Sequence, residues 1–193
     1  MLTLYFSPGS SSMAAHIALH EVGATFDAKF LSFAKKEHQG PAFRAINPAG
    51  KVPALLIDGR LLTEVAGILF YLAKRFPEAG LLPEDIEAQA QVVSWMSFIA
   101  STIHPARRQV VDHARAVFKL ADERLGNNDW AAGGRYSIAD IHLFRLFWRF
   151  RDSLNFAPGD FPNIERHYER MMARPAVKKT IALEAKVGYE LPA

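Results

Sequence analysis

Three short segments combine hydroxyl, glycine, proline and charged residues in ways that can bind or activate a ligand. The first is the run Ser7-Pro-Gly-Ser-Ser-Ser12, where a strand pattern changes into a helix pattern. Free backbone N–H groups and the positive end of a helix dipole meet at such a point, and both favour an anion. Ser10, Ser11 and Ser12 add hydroxyl donors, but serine is also a preferred helix cap. The run therefore indicates either an anion site or a cap.

The other two segments lie near residues 50 and 64. Asn47-Pro-Ala-Gly-Lys-Val-Pro53 precedes a predicted strand, and its prolines and glycine fix an unusual backbone path. A cis bond between Val52 and Pro53 would direct the Val52 N–H and C=O away from the sheet, although only about 5% of X–Pro bonds are cis. Glu64 stands at a predicted helix start, where a carboxylate either complements the helix dipole or binds the ammonium group of a ligand.

The elements that position these segments alternate in the first half of the chain. Strand patterns cover 2–6, 26–31, 53–57 and 60–62, helix patterns end near Glu21 and run from Glu64 to about Phe76, and Lys35–Arg44 is predicted to be irregular. The order β-α-β, loop, β-β-α predicts a mixed four-stranded sheet with helices on its faces. Its first two strands are expected to be parallel around a right-handed crossover.

The second half of the chain contains helix patterns and no strand pattern. A long helical pattern from Ile86 to about Arg115 is interrupted by Pro105, which cannot donate to the carbonyl of Ser101 and is expected to kink the helix. Ser137-Ile-Ala-Asp140 is typical of a capping box. The predicted organisation is an α/β domain over 1–76, a linker over 77–83 and an all-α domain over 84–193.

Composition excludes several classes of protein. The 193 residues carry a net charge of +3 and include no cysteine, so disulfides, thiolate metal sites and a cysteine nucleophile are excluded. We expect no nucleic-acid partner, no membrane segment, no signal peptide and a cytoplasmic location. We also expect no metal, because His16 and His20 stand one helical turn apart without a third ligand at a matching spacing.

Taken in order along the chain, these motifs resemble the glutathione transferase family. Residues 5–12, 47–53 and 62–71 are similar to its thioredoxin-like domain, and residues 137–140 and 171–175 to its all-helical domain; Pro8–Ser12 and Trp95–His104 are similar to its bacterial beta class. The resemblance implies the glutathione transferase architecture and a homodimer. It also implies a detoxification enzyme that conjugates glutathione to a small hydrophobic electrophile held in an interdomain cleft, with glutathione as cosubstrate and no tightly bound cofactor.

The resemblance also implies a role for individual residues. Ser11 would stabilise the glutathione thiolate, Val52 would pair with the cysteinyl backbone, and Glu64 would bind the γ-glutamyl ammonium group. Lys36, or Lys35 beside it, would approach the glycyl carboxylate, and His104 would face the electrophile. The full predicted set is catalytic Ser11 and His104, with binding residues Ser12, Lys36, Lys51, Val52, Pro53, Glu64, Val65, Ser97 and Ser101.

Two positions depart from the family pattern. The beta class has a cysteine where this chain has Ser11, so mixed-disulfide chemistry on the protein is excluded; Ser10, Ser12 and Tyr5 are the alternative thiolate donors. Many members have a serine at the position of Val65, which predicts weaker glutathione binding. The alternatives are a non-catalytic binding or interaction protein of the same fold, and a glutathione-dependent isomerase or peroxidase. For His104 the alternative is a histidine satisfied at a helix kink.

Overall fold

The computed structural model describes residues 1–106 and 109–190, and its contacts divide the chain into two compact units. The first unit comprises Met1–Arg75 together with the segment from Pro175 onward, and the second comprises Phe76–Arg174. The predicted boundaries at 76 and 84 follow chain order and stay a prediction. The last helix, predicted as part of the all-α domain, belongs to the first unit by its contacts, because it packs against the first helix of the chain.

A mixed four-stranded sheet forms the centre of the first unit, as predicted. Its strands are β1 (Leu2–Phe6), β2 (Phe26–Phe30), β3 (Ala54–Ile57) and β4 (Arg60–Thr63), in the spatial order β2-β1-β3-β4. The β1–β2 pair is parallel and the other two pairs are antiparallel. Leu4 of β1 and Leu55 of β3 lie opposite each other and are fully buried, so the central pair of strands forms part of the core.

Within its described residues, the first unit also contains four α-helices. They are α1 (Ser12–Glu21), α2 (Pro41–Arg44), α3 (Val65–Arg75) and α9 (Pro175–Val187). Helix α1 contacts both α3 and α9. Ile17 of α1 and Leu69 of α3 are fully buried. The region predicted to be irregular is more ordered than expected, because it contains a 3₁₀ turn at Glu37–Gln39 and then α2. Pro41 begins α2 at a position where its missing N–H costs no intrahelical bond.

The described part of the second unit is helical apart from turns and one isolated bridge. Its helices are α4 (Ile86–Phe98), α5 (His104–Ala106), α6 (Val111–Leu125), α7 (Ile138–Ser153) and α8 (Pro162–Ala173). The predicted capping box is confirmed at the start of α7, where Ser137 N–H donates to Asp140 Oδ2 at 2.8 Å. Among the described residues, no helix has the length and apolar composition that crossing a membrane requires.

Pro105 disturbs the long helical pattern as predicted, but the disturbance is a π-helical turn. This turn spans Ile99–Ile103 between α4 and α5, and the His104 N–H donates to the carbonyl of Ile99, five residues earlier. An α-helical ladder would require the N–H of residue 105 to donate to the carbonyl of Ser101, and proline has none. The predicted helical pattern also includes residues 107 and 108, which lie outside the described residues.

Candidate functional site

The register of the sheet brings the candidate segments of the first unit to one edge. Phe6 of β1 lies beside Phe30 of β2, Tyr5 lies opposite Ala54 of β3, and Ala54 lies opposite Thr63 of β4. Strands β1, β2 and β4 end at this edge, and β3 begins there. The segments that meet there are the turn 7–12, the loop 31–40, the segment 47–53 and Glu64 with the start of α3.

The turn between β1 and α1 is held together by its own hydroxyl groups. Ser10 Oγ and Ser12 Oγ lie 2.7 Å apart, and Ser12 Oγ also accepts from the Ser7 N–H at 3.1 Å and donates to the Ser7 carbonyl at 3.1 Å. Ser10 Oγ accepts from the Ser12 N–H at 3.2 Å, which is the capping role expected for one of these serines. Both side chains are buried. The turn thus uses the hydroxyls of Ser10 and Ser12 internally.

Ser11 occupies the N-cap position of α1 without capping it. Its backbone is already helical, with φ −56° and ψ −21°, and its hydroxyl has no hydrogen-bond partner among the described residues. Ser11 is also the most exposed of the three serines. Of the hydroxyls of Ser10, Ser11 and Ser12, the one that remains available to a ligand at the positive end of α1 is therefore that of Ser11. Tyr5, an alternative donor, lies on β1 with its ring 5.4 Å from that of Phe43.

A residue that the sequence did not indicate supports this turn from outside. Glu184 of α9 is fully buried, and its Oε2 accepts from the Gly9 N–H at 2.7 Å. Its Oε1 lies 2.8 Å from His16 Nδ1, so the carboxylate of Glu184 is hydrogen-bonded to His16 as well. Within the described residues, no group of three or more His, Asp or Glu side chains is arranged to hold a metal ion. Glu184 is 175 residues from Gly9 in sequence, and no local motif connects them.

The segment before β3 is fixed by Asn47, which is buried. Asn47 Nδ2 donates to the Lys51 carbonyl at 2.8 Å, and its Oδ1 accepts from the Ala49 N–H at 3.2 Å. The Val52–Pro53 peptide bond is cis, as hypothesised. Because the pairing of β3 with β1 and β4 begins only at residue 54, Val52 precedes the ladder, with its side chain half-buried. The exposed Lys51 and buried Pro53 flank it.

Glu64 departs from the prediction that placed it in the first turn of a helix. It has a left-handed backbone with φ 66° and precedes α3, and its carbonyl accepts the first helical bond from the Ile68 N–H at 3.0 Å. Glutamate rarely adopts this conformation, and such backbones cluster at functional sites. The Glu64 side chain is exposed and Val65, half-buried, begins α3. The positive end of α3 therefore lies at the same sheet edge as the serine turn.

The loop after β2 carries exposed Lys35 and Lys36. Lys36 has φ 55° and is the second non-glycine residue at this edge with a left-handed backbone. The loop approaches the segment before β3 closely, since a Cβ added at Gly50 would lie 2.9 Å from the His38 carbonyl oxygen. The two segments meet without space for any side chain at position 50.

The remaining predicted residues lie in the second unit. Ser97 is exposed near the end of α4, Ser101 is exposed in the π-helical turn, and half-buried His104 begins α5. Burial lowers the pKa of the neighbouring His142 on α7 to about 3, with Arg145 and His104 contributing positive charge. A π-helical turn inside a helix is frequently found at functional sites. The structure therefore places eight residues of the predicted set at one sheet edge, namely Ser11, Ser12, Lys36, Lys51, Val52, Pro53, Glu64 and Val65. The other three, Ser97, Ser101 and His104, lie in or next to the π-helical turn.

Two family models match this chain. The "Glutathione S-transferase, N-terminal domain" model matches residues 1–74, and the "Glutathione S-transferase, C-terminal domain" model matches residues 85–175. Together they cover the sheet, the π-helical turn and α7.

Individual proteins are similar over nearly the full length. Glutathione S-transferase GstA of Escherichia coli O157:H7 is 32% identical over 95% of this chain and 98% of its own. A glutathione transferase homolog from Sulfitobacter, solved with bound glutathione, is 34% identical with a TM-score of 0.83, covering 97% of this chain and 98% of its own. Maleylacetoacetate isomerase of Pseudomonas aeruginosa is 28% identical over 88% of this chain and 90% of its own.

Proposed function

The chain belongs to the glutathione S-transferase family, and on this basis we propose that it transfers the sulfur of glutathione to a small hydrophobic electrophile. The observation that carries the proposal is the gathering of Ser11, Val52, Glu64 and Lys36 at one edge of the sheet. The Sulfitobacter relative was solved with glutathione bound, which supports the same ligand for this chain.

The order of the segments along the edge matches the order of groups in glutathione. Glu64 follows β4, Val52 precedes β3, Ser11 follows β1 and the Lys36 loop follows β2. Four strands about 4.8 Å apart make an edge about 14 Å wide, and three extended residues span about 10–11 Å. A tripeptide lying across the edge would place its γ-glutamyl group at Glu64 and Val65. Its cysteinyl backbone would pair with Val52, and its glycyl carboxylate would lie near Lys36.

Ser11 is proposed to hold the sulfur as a thiolate. A thiol with a pKa of about 8.5 is only about 3% ionised at pH 7. Lowering its pKa by about two units requires roughly 2.7 kcal/mol of preferential thiolate stabilisation. A hydrogen bond from one hydroxyl to a charged group contributes about 1.5–3 kcal/mol, and the end of α1 contributes about 0.3–1 kcal/mol. The Ser11 hydroxyl and the dipole of α1 are sufficient together.

The electrophile is assigned to residues of the second unit. We propose that His104 contacts it, because the family resemblance gives this residue that role, and that the predicted binding residues Ser97 and Ser101 lie beside it on the same α4–α5 segment. A neutral His104 can accept a proton and a protonated one can donate to a leaving group, so this residue is the candidate for steering the second substrate. The chemical identity of the electrophile is open to substrate screening.

One relative supports a second candidate reaction. Maleylacetoacetate isomerase shares 28% identity with this chain over most of both proteins. A glutathione-dependent isomerase would use the same sheet edge and form a thioether with its substrate only transiently. The two reactions differ in product, because a transferase consumes glutathione and an isomerase returns it.

Calorimetric titration with glutathione, followed by an assay with 1-chloro-2,4-dinitrobenzene, tests the proposal. We expect saturable heat and a glutathione conjugate. Heat without a conjugate, together with isomerisation of a maleyl substrate at constant glutathione concentration, would support the isomerase instead. Absence of both heat and product would favour the alternative, a non-catalytic interaction protein of the same fold.

We also propose that the protein is a homodimer, following the family resemblance. Sedimentation equilibrium should give twice the 21.5 kDa of one chain, and a mass of one chain at micromolar concentration would contradict this. A cytoplasmic location stays a prediction from the cysteine-free composition.

A further inference from the structure

The last described residues of the chain return to the loop that carries the two lysines. After α9 ends at Val187, Tyr189 Oη donates to the Ile181 carbonyl at 3.3 Å and so holds the segment against its own helix. The next side chain, Glu190, reaches the loop. Its Oε2 accepts from Ser32 Oγ at 2.8 Å and from the Ala34 N–H at 3.0 Å. A single carboxylate oxygen thus accepts hydrogen bonds from the loop at two residues, Ser32 and Ala34.

Ser32 is the centre of the loop's hydrogen bonding. It is 2% exposed, and both its backbone and its side chain are bonded. Its N–H donates to Glu37 Oε2 at 2.8 Å, and its carbonyl accepts from the Glu37 N–H at 3.0 Å. Its hydroxyl donates to Glu190 and accepts from the Lys35 N–H at 3.0 Å. The Ser32 hydroxyl therefore connects Glu190 to the backbone of Lys35.

Lys36 depends on the same turn. Its N–H donates to the Phe33 carbonyl at 3.0 Å, and its left-handed backbone directly follows the residue that Ser32 Oγ holds. A left-handed lysine persists only where its surroundings enforce it. The bonds from Ala34 and Ser32 lower the pKa of Glu190 below its ordinary value, with Lys35 nearby adding to the effect, so the carboxylate is ionised at neutral pH.

We propose that Glu190 is a positioning residue. It holds the loop 32–36 in the conformation in which Lys36, or Lys35 beside it, approaches the glycyl carboxylate of glutathione. The inference rests on the proposed function for its ligand, and on the hydrogen bonds of the loop for its mechanism. It predicts that a change at Glu190 weakens the binding of the glycyl end of glutathione and leaves the binding of the γ-glutamyl end unchanged.

The test compares Glu190→Ala with Glu190→Gln, using glutathione and γ-glutamylcysteine, which lacks the glycyl carboxylate. For Glu190→Ala we expect the KM for glutathione to rise about two- to tenfold, the change that one net hydrogen bond produces. The kcat at saturating glutathione should stay unchanged. Glu190→Gln should restore most of the affinity, because one amide oxygen can accept both bonds. The KM for γ-glutamylcysteine should be the same in all three proteins.

Hydrogen exchange provides a readout that does not depend on glutathione. The amides of Ala34 and Lys35 should exchange faster in Glu190→Ala and at the wild-type rate in Lys186→Ala, an exposed change on α9. If the wild type binds glutathione and Glu190→Ala leaves the KM for glutathione unchanged, the inference is overturned. An equal rise in KM for both thiols in Glu190→Ala would also overturn it. Absence of glutathione binding by the wild type would instead overturn the proposed function, while the exchange rates would still show whether Glu190 holds the loop.

Discussion

Ser11 differs from its two serine neighbours in what its hydroxyl does. The hydroxyls of Ser10 and Ser12 bond to each other and to the turn backbone, whereas that of Ser11 has no partner among the described residues. A hydroxyl at a helix N-terminus can donate to an anion without breaking an existing bond. Among the candidate donors, the geometry therefore favours Ser11 for the thiolate.

Ser11→Ala is expected to raise the pKa of bound glutathione's thiol and to lower turnover at pH 6.5. The loss of one hydrogen bond to a charged group corresponds to roughly a 10- to 150-fold change in the ionisation equilibrium. The affinity for glutathione should change little, since the thiol contributes only one of several contacts. The thiolate absorbance near 240 nm, followed against pH, measures the pKa directly.

Ser12→Ala is the matched control, because it removes a neighbouring hydroxyl that serves the fold. We expect a loss of stability of about 1–3 kcal/mol, since the Ser7 N–H and Ser10 Oγ lose a buried partner. If Ser12→Ala shifted the thiol pKa and Ser11→Ala did not, the thiolate donor would be Ser12.

Val65 is the second residue where a single side chain decides a prediction. It begins α3, and only its backbone N–H is available to the γ-glutamyl carboxylate. Val65→Ser should tighten glutathione binding by about 0.5–1.5 kcal/mol by adding one hydrogen bond. Calorimetry measures this, with Val65→Ala as the control that changes size without adding a donor. Equal affinities of the serine and alanine variants would show that the backbone contact suffices.

At the scale of elements, the sheet edge depends on how closely two loops approach. Gly50 has φ 60° and lies beside the His38 carbonyl, so this position requires both a left-handed backbone and the absence of a Cβ. The lysine loop and the segment with Val52 are consequently in close contact at this point. A change at position 50 should disturb both parts of the proposed glutathione site.

Gly50→Ala should destabilise the protein by more than the roughly 1–2 kcal/mol that a left-handed backbone costs an alanine, because its Cβ also meets the His38 oxygen. Gly59→Ala is the matched control, since Gly59 has φ 83° and nothing within 4 Å of an added Cβ. Urea denaturation of the two variants separates backbone strain from steric conflict. Equal losses of stability would show that the loops can separate without cost.

At the scale of the whole molecule, buried histidines link stability to pH. The pKa of His142 is lowered to about 3 by burial and nearby Arg145 and His104, compared with an ordinary value of about 6.5. Between these values the unfolded chain binds a proton that the folded chain does not. The free energy of unfolding therefore falls as the pH decreases from about 6.5 towards 3, at up to about 1.4 kcal/mol per pH unit. His20, with its pKa lowered to about 4, acts in the same direction to a smaller extent because it is only half-buried.

Urea denaturation at pH 7, 6 and 5 measures this dependence. His142→Leu should give a shallower dependence than the wild type, whatever its effect on stability at pH 7. His113→Gln, a change of an exposed histidine on α6, should leave the dependence unaltered. A wild-type slope retained in His142→Leu would assign the proton uptake to other groups.

The sequence alone determined the fold class and the elements that carry the candidate site. Strand patterns over 2–6, 53–57 and 60–62 predicted β1, β3 and β4, and Ser137 with Asp140 predicted the start of α7. These features are local, because neighbouring residues decide backbone propensity and capping. The predicted boundaries were less accurate. Glu64 lies before α3 rather than in it, and the sequence did not predict this because a left-handed backbone at a glutamate cannot be inferred from residue type.

Only the tertiary structure decided which hydroxyl is available and which residues support it. Ser10, Ser11 and Ser12 are equivalent in sequence, and their different hydrogen bonds distinguish them. Glu184 reaches Gly9 across 175 residues and Glu190 reaches Ser32 across 158. Contacts at such separations arise when the chain folds back on itself and leave no pattern within either segment. The sequence therefore predicted the residues of the candidate site, and the fold decided how those residues are held.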